Sequence, residues 1–535
     1  MTQPNFARIV SGIFGLGLGV VLGTACSFIV DFQECRTSAD CEGTGEPLTC
    51  EDNVCIGTQE FPTCDSHQIC AMAFGSDFLC GSQGVCISAL TDECTRVVWP
   101  KGVVRDKVVF IGSLIPVSEP YDAITVPLQN AIELAIDDFN KTTVLPGGRK
   151  VAWIACDDKG LIDDAERAAR HLAVDVGAPA IIGPIFSGQV LQIADKITVP
   201  AGTLLISPTA SNSTISNLDD KNLVWRTIPS DVYQSSAIAD RILLDLDPKP
   251  ANVVVLVKDD AYGNGLVDGI VPVLEGGTVV KVIAYDDPTS FTSQADLLSA
   301  YGLVISGAFE AKPDTILLLG TSEVAQLLGA YVKIWGELTP EEPLPRFILS
   351  HGGVAVMEDS VNQIDSSALR KLLMTLVEGT APIIQDPENF NAYNVRYKIR
   401  FDDEEALTTS SLSYDAALVV MFAMATAGNA EITGARIADG IARLVDKGGT
   451  EISFGGSDLG FIKTTVDTLA NGINVDLQGV SGELDFDLST GEVRTNIVGW
   501  DLAPKSGEPD IAALSPGRVY ILNPIPAVNG TWVPL

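Results

Sequence analysis

His67, His171 and His351 are the three imidazoles in a chain of 535 residues. A hydroxyl or thiol nucleophile would have to draw its general base from this short set. His67 lies among cysteines and His171 within a helical stretch, which leaves His351. No G-x-S-x-G elbow accompanies it and no H-E-x-x-H pair is present, so His351-Gly352-Gly353 bears only a faint likeness to an esterase oxyanion loop. Gly263-Asn264-Gly265 fails as a dinucleotide loop because Asp268 stands where the third glycine is needed. The expectation is a non-enzymatic chain without cofactor or metal. Binding chemistry is better supported. Ser187 and Gly188 follow the strand-like run Ala180 to Ile182 and open a helix, so free backbone N–H groups and the positive end of the dipole favour an anionic group such as a carboxylate. The competing reading of Ser187 is an ordinary helix cap.

The cysteines point to export. Eleven are present. Cys35, Cys41, Cys50 and Cys55 have gaps of five, eight and four residues, and Cys64, Cys70, Cys80 and Cys86 have gaps of five, nine and five. This near-repeat implies two small modules stapled by two disulfides each, in an oxidising compartment. With no C-x-x-C pair and His67 the lone histidine nearby, zinc is disfavoured. Cys94 then has no local partner, and a Cys94 to Cys156 bridge to the main body is expected.

Upstream stands a single basic residue, Arg8, then the apolar run Ile9 to Leu22, too short to span a membrane. It reads as a signal peptide over residues 1–25. Leu22-Gly23-Thr24-Ala25-Cys26 resembles a lipobox, with Cys26 the acylated residue; Gly23 departs from the larger aliphatic residue usual there. Ser27 in place of an aspartate leans toward the outer membrane. The expected location is thus the cell envelope, with the membrane touched through a lipid anchor only. Acidic residues outnumber basic ones 69 to 34, a formal charge of −35 that argues against nucleic acid as a partner.

The elements that position these residues begin at Lys107. Apolar β-branched runs at Val108 to Ile115, Lys150 to Cys156, Ala180 to Ile182, Thr203 to Ile206, Val253 to Val257, Thr315 to Leu319 and Arg346 to Leu349 alternate with helical stretches. Those helices are expected at Pro127 to Asn140, Asp163 to Val176, Val190 to Ile197, Val232 to Leu244, Leu266 to Leu274, Ala295 to Tyr301 and Val324 to Trp335. This is an α/β chain, and its length suits two lobes.

Val108-Val-Phe-Ile-Gly-Ser-Leu-Ile-Pro116, Asn130 to Asn140, Gly148 to Asp158, Ile182-Gly-Pro-Ile-Phe-Ser-Gly188, Leu205 to Ser211, Trp225 to Asp231, Asp259 to Leu266, Tyr414-Asp-Ala-Ala417 and Gly479 to Asp487 stand in one order along the chain. Together they resemble the type I periplasmic binding proteins, in particular the leucine/isoleucine/valine-binding branch that serves ABC transporters. The resemblance implies two doubly wound lobes around a hinged cleft. Lobe 1 would hold 105–229 plus 382–495, lobe 2 would hold 230–381 plus 496–535, and residues 26–100 would form the lipidated Cys-rich segment. It also implies crossings at Arg226 to Ser230, near Thr380 and around 495. Ser187, Gly188, Ala210 and Ser211 would then touch a ligand carboxylate, and Tyr262 would pack over the ligand from the second lobe, unless it is merely a turn-edge aromatic. The amino-acid binders of that family carry an acidic residue where Ser350-His351-Gly352-Gly353 stands here. A neutral imidazole is a poor partner for an ammonium, so His351 leaves a carboxylate-bearing or amide-like solute open beside a free amino acid; its other reading is an exposed loop histidine. The expected partners are a small-molecule ligand and an ABC permease, with a ligand sensor or interaction lipoprotein as the alternative.

Overall fold

The structure is a computed structural model that describes residues 48–51, 54–57, 62–275, 278–382, 387–455 and 458–535. It divides into two compact units, Met1–Phe61 and Pro62–Leu535. The leader, Cys26, Cys35 and Cys41 lie outside the described residues. In the first unit, strands Leu48–Glu51 and Val54–Gly57 form an antiparallel hairpin that sets Cys50 opposite Cys55.

The second unit begins with a stapled module. Disulfides Cys64–Cys80 and Cys70–Cys86 clamp the helix His67–Phe74 against the hairpin Phe78–Cys80/Cys86–Ser88. A third disulfide joins Cys94 to Cys156. Just beyond it, the strand Arg96–Val98 pairs antiparallel with Lys150–Cys156. This N-terminal piece is thereby built into the edge of the first large sheet.

That sheet has eight strands in the order Phe486–Asp487, Glu492–Val493, Val224–Arg226, Leu204–Ser207, Ala180–Ile182, Val108–Leu114, Lys150–Cys156, Arg96–Val98. Its central strands are parallel and nearly all buried, as expected of strands covered by helices on both faces. Helix Ser410–Ala425 packs on helix Asp122–Thr142 and is buried along its whole length.

The second sheet also has eight strands: Val279–Tyr285, Asn252–Lys258, Thr315–Leu319, Arg346–Leu349, Val377–Ala381, Ile497–Lys505, Glu508–Leu522, Gly530–Pro534. The first five run parallel; the last three form an antiparallel meander that the apolar runs did not announce. The result is two α/β lobes with mixed sheets, the architecture expected from the sequence. The chain passes between the sheets three times, at 227–230, after Ala381 and at 494–496. At the first passage Arg226, 1% exposed, pairs with Glu492 and donates to the carbonyl of Asn212 at 2.8 Å. One buried ion pair therefore fastens together the two first-sheet strands that lead into the first and third crossings.

Candidate functional site

The carboxyl ends of parallel strands leave loops whose backbone groups are free, and ligands of open α/β sheets gather there. Both sheets aim such ends at one crevice. From the first lobe, the loop after Ala180–Ile182 supplies Ile185, Phe186 and Ser187, and the loop after Leu204–Ser207 supplies Thr209. Tyr121, Ile124, Thr125 and Leu128 come from the start of helix Asp122–Thr142. From the second lobe come Asp260 and Tyr262 after Asn252–Lys258, Thr321 and Ser322 after Thr315–Leu319, and His351 and Gly352 after Arg346–Leu349. They enclose a cavity of about 110 Å³ that is mainly apolar. A wider, more polar opening of about 340 Å³ shares Tyr121, Phe186, Ser187 and Asp260 with it and adds Gly188, Lys258 and Asp287.

Backbone geometry fixes these loops. Gly183 has φ +100°, and a Cβ there would lie 2.1 Å from the carbonyl oxygen of Leu114. Only glycine lets the chain turn so close to the neighbouring strand. Ser187 is the first residue of its helix and not the cap, a place held by Phe186. The Ser187 hydroxyl instead accepts from the Asn212 N–H at 3.3 Å, tying the two first-lobe loops together. Across the cleft, Asp260 caps the helix Ala261–Leu274 by accepting from the Gly263 N–H at 2.8 Å, which holds Tyr262 in the first turn.

The lobes meet in this structure. Tyr121 donates its hydroxyl proton to Asp287 at 2.9 Å. The Asn212 side chain donates to the Ala261 carbonyl, and a Cβ on Gly188 would sit 3.7 Å from the Ala261 methyl. Lys258, 1% exposed, lies 2.5 Å from Asp287 and 3.4 Å from Asp260. Burial opposes its charge, but Glu323, Asp260 and Asp287 outweigh it and raise its pKa. Burial likewise works against the Asp287 anion, and Lys258 more than compensates, holding that carboxyl below its ordinary range. Asp260 is displaced upward, by burial first, despite Lys258.

Of the residues singled out in the sequence, Ser187, Tyr262 and His351 line the smaller cavity and Gly188 the wider opening. Ala210 and Ser211 line neither: both are buried, with the Ala210 carbonyl accepting from Arg226 at 3.3 Å and the Ser211 carbonyl from the Asp231 N–H at 2.8 Å. His351 is partly buried, its ring edge-on to Tyr262 with centroids 5.1 Å apart. Its Nδ1 lies 3.1 Å from the Tyr262 hydroxyl, and burial pushes its pKa down to about 4. The other two histidines have structural partners: His67 Nδ1 accepts from the Cys80 N–H at 3.1 Å and His171 Nε2 lies 3.2 Å from the Ala89 carbonyl. The sulfurs of Cys64, Cys70 and Cys86 approach within 4.8 Å of one another, but each is spent in a disulfide and offers no thiolate.

Tyr121, Phe186, Thr209, Asp260, Thr321 and Ser322 were not singled out in the sequence. Position alone could have found four of them, since Thr209, Asp260, Thr321 and Ser322 each stand within three residues of a strand's carboxyl end.

Residues 108–450 match the family model described as periplasmic binding protein. A Leu/Ile/Val-binding protein of Rhizobium johnstonii is 28% identical over 173 residues, 32% of this chain and 46% of its own. A chemotactic signal transduction system substrate-binding protein of Halobacterium salinarum is 27% identical over 220 residues, 40% of this chain and 50% of its own. The chain thus spans about half the length of the curated relatives it matches. Among solved structures, a leucine binding protein from Thermotoga maritima MSB8 superposes with a TM-score of 0.56 at 19% identity, covering 77% of this chain and 98% of that one. The family model, matched over more than half of the residues, together with the two sheets and three crossings, shows that the chain belongs to the periplasmic binding protein family.

Proposed function

We propose that this protein is an extracytoplasmic, non-enzymatic solute-binding protein that captures a small carboxylate-bearing or amide-like solute, an amino acid or analogue, and delivers it to an ABC permease. The reading rests on one observation: a mainly apolar cavity walled by residues of both lobes, with most of its polar groups supplied by strand-end loops. Ser187 and Gly188 would meet the anionic end of the solute, while Tyr262 and His351 would close over it from the second lobe. Ala210 and Ser211 would join only if the 209–212 loop turns its backbone toward the cleft on binding. The relatives named for Leu/Ile/Val and leucine support a solute of this size. Cys26 would carry a lipid that holds the protein at the envelope, outer membrane preferred; among the described residues no helix is long and apolar enough to cross a membrane.

The chemotactic relative favours a second reading, in which the closed form reports its solute to a sensory partner instead of a permease. A thermal-shift panel of amino acids, their deaminated analogues, amides and short peptides tests the capture itself. A solute at about 100 times its Kd should stabilise the chain by about 2.7 kcal/mol. A panel without any shift would remove the proposal. Co-purification with a permease or with a receptor would separate delivery from sensing.

A further inference from the structure

Gln234, in helix Asp231–Asp240, is 1% exposed and is missing from every motif in the sequence, yet it meets His351 of the cavity wall at two points. Its Oε1 accepts from the His351 backbone N–H at 2.8 Å and from the Thr380 hydroxyl at 2.7 Å. A backbone amide can only donate, so this end of the side chain is oxygen and the other is NH₂. That NH₂ lies 3.0 Å from Asp231 Oδ1 and 3.0 Å from His351 Nδ1. An amide NH₂ also can only donate, so Nδ1 must accept. In a neutral imidazole the single proton then sits on Nε2. The Tyr262 hydroxyl, which accepts from the Gly352 N–H at 3.3 Å, adds a second donor 3.1 Å from the same Nδ1.

We propose that Gln234 locks His351 as its Nε2–H tautomer, so that the second-lobe wall offers a neutral hydrogen-bond donor and selects a solute presenting a carboxylate or carbonyl oxygen there, without an ammonium. The inference rests on the reading of the cavity as a solute site and narrows its substrate class. Among the described residues Asp260 is the one carboxylate lining the smaller cavity, and it is already engaged by the Gly263 N–H at 2.8 Å and by Lys258 at 3.4 Å. Gln234 is a positioning residue. Through Thr380, on the strand that leads into the second crossing, the same amide ties the cavity wall to the hinge.

Two measurements on the full chain decide the matter. The first is the ¹⁵N chemical shifts of the three histidines at neutral pH. One bare Nδ1 and one protonated Nε2 are expected for His351, and Gln234→Glu should move the proton to Nδ1, because a carboxylate can only accept. A protonated Nδ1 in the wild type overturns the inference. The second is calorimetric titration with two matched pairs, 4-methylpentanoate against leucine and 3-phenylpropanoate against phenylalanine. The acid lacking the ammonium should bind at least about tenfold tighter in one pair, the effect of leaving a buried charge unpaired; equal or reversed affinities in both pairs overturn the selectivity. If all four probes and the wider panel are silent while the Nε2–H tautomer is present, the solute-binding reading falls and the role of Gln234 stands. A probe that binds alongside a protonated Nδ1 has the opposite meaning.

Discussion

Gly188 offers a way to wedge the cleft while keeping the backbone N–H it would present to the solute. A Cβ built on it meets the Ala261 methyl at 3.7 Å, ordinary contact across the two lobes. Gly188→Ala should therefore bind solute like the wild type. Gly188 is exposed at the wider opening, so Gly188→Leu adds three further carbons beside a single cross-lobe contact, and the crowding costs about 1 kcal/mol, the low end of overpacking. Ala261 belongs to the opposite lobe, so the cost falls on the closed form alone. Falling on the closed state, it should weaken affinity about fivefold, with an unchanged urea midpoint for each lobe. The assay is a calorimetric Kd for the solute found in the thermal-shift panel, paired with small-angle scattering, in which Gly188→Leu should be more extended than Gly188→Ala. If the leucine variant binds within twofold of the wild type and scatters identically, closure of these lobes does not hold the solute.

The remaining predictions concern stability. Replacing Glu492 by alanine leaves Arg226 charged, 1% exposed and without its carboxylate, and should cost about 3–5 kcal/mol in chemical denaturation, whereas a loss below about 1 kcal/mol would show that water reaches the pair. The Cys94–Cys156 bridge closes a loop with a sequence separation of 62, so the double serine variant should lose about 4 kcal/mol, read from denaturation under oxidising conditions. His351 is pushed down to about 4 from 6.5, chiefly by burial, so the native state takes its proton less readily than the unfolded chain. Its share of stability therefore falls as pH drops from about 6.5 toward 4, by at most about 3 kcal/mol. Asp231, bonded to the same Gln234 and pushed up to about 7 by burial, acts in the opposite sense, so the effect is read as wild type minus His351→Gln. Parallel pH profiles for the two proteins would contradict a buried neutral imidazole.

Much of the scaffold was legible because parallel strands buried on both faces are written as short uninterrupted apolar runs. Lys150–Cys156, Ala180–Ile182, Thr315–Leu319 and Arg346–Leu349 begin and end where those runs do. The same logic hid helix Ser410–Ala425: all sixteen residues are buried, so it shows no polar face and no helical periodicity. The antiparallel strands from Ile497 to Pro534 escaped because prolines and charges interrupt them and one face is only half covered. At the site, Ser187, Tyr262 and His351 stand in recognisable strings, but Gln234 and Thr380 meet the cavity only through the fold, 117 and 29 residues from His351 in one case and the other. Pairings that distant leave no local pattern to read.

The edge strand Arg96–Val98, with the disulfide beside it, has a mechanical consequence. Everything described from Pro62 to Val98 is stitched to the first lobe, through Cys156, Glu133, Arg167 and the strand Lys150–Cys156, while the second lobe hangs from three crossings. A pull applied at Pro62 would accordingly load the first lobe directly and reach the second only through those crossings and the contacts across the cleft. The strand is itself the margin of that sheet, and at three residues it keeps the exposed edge short.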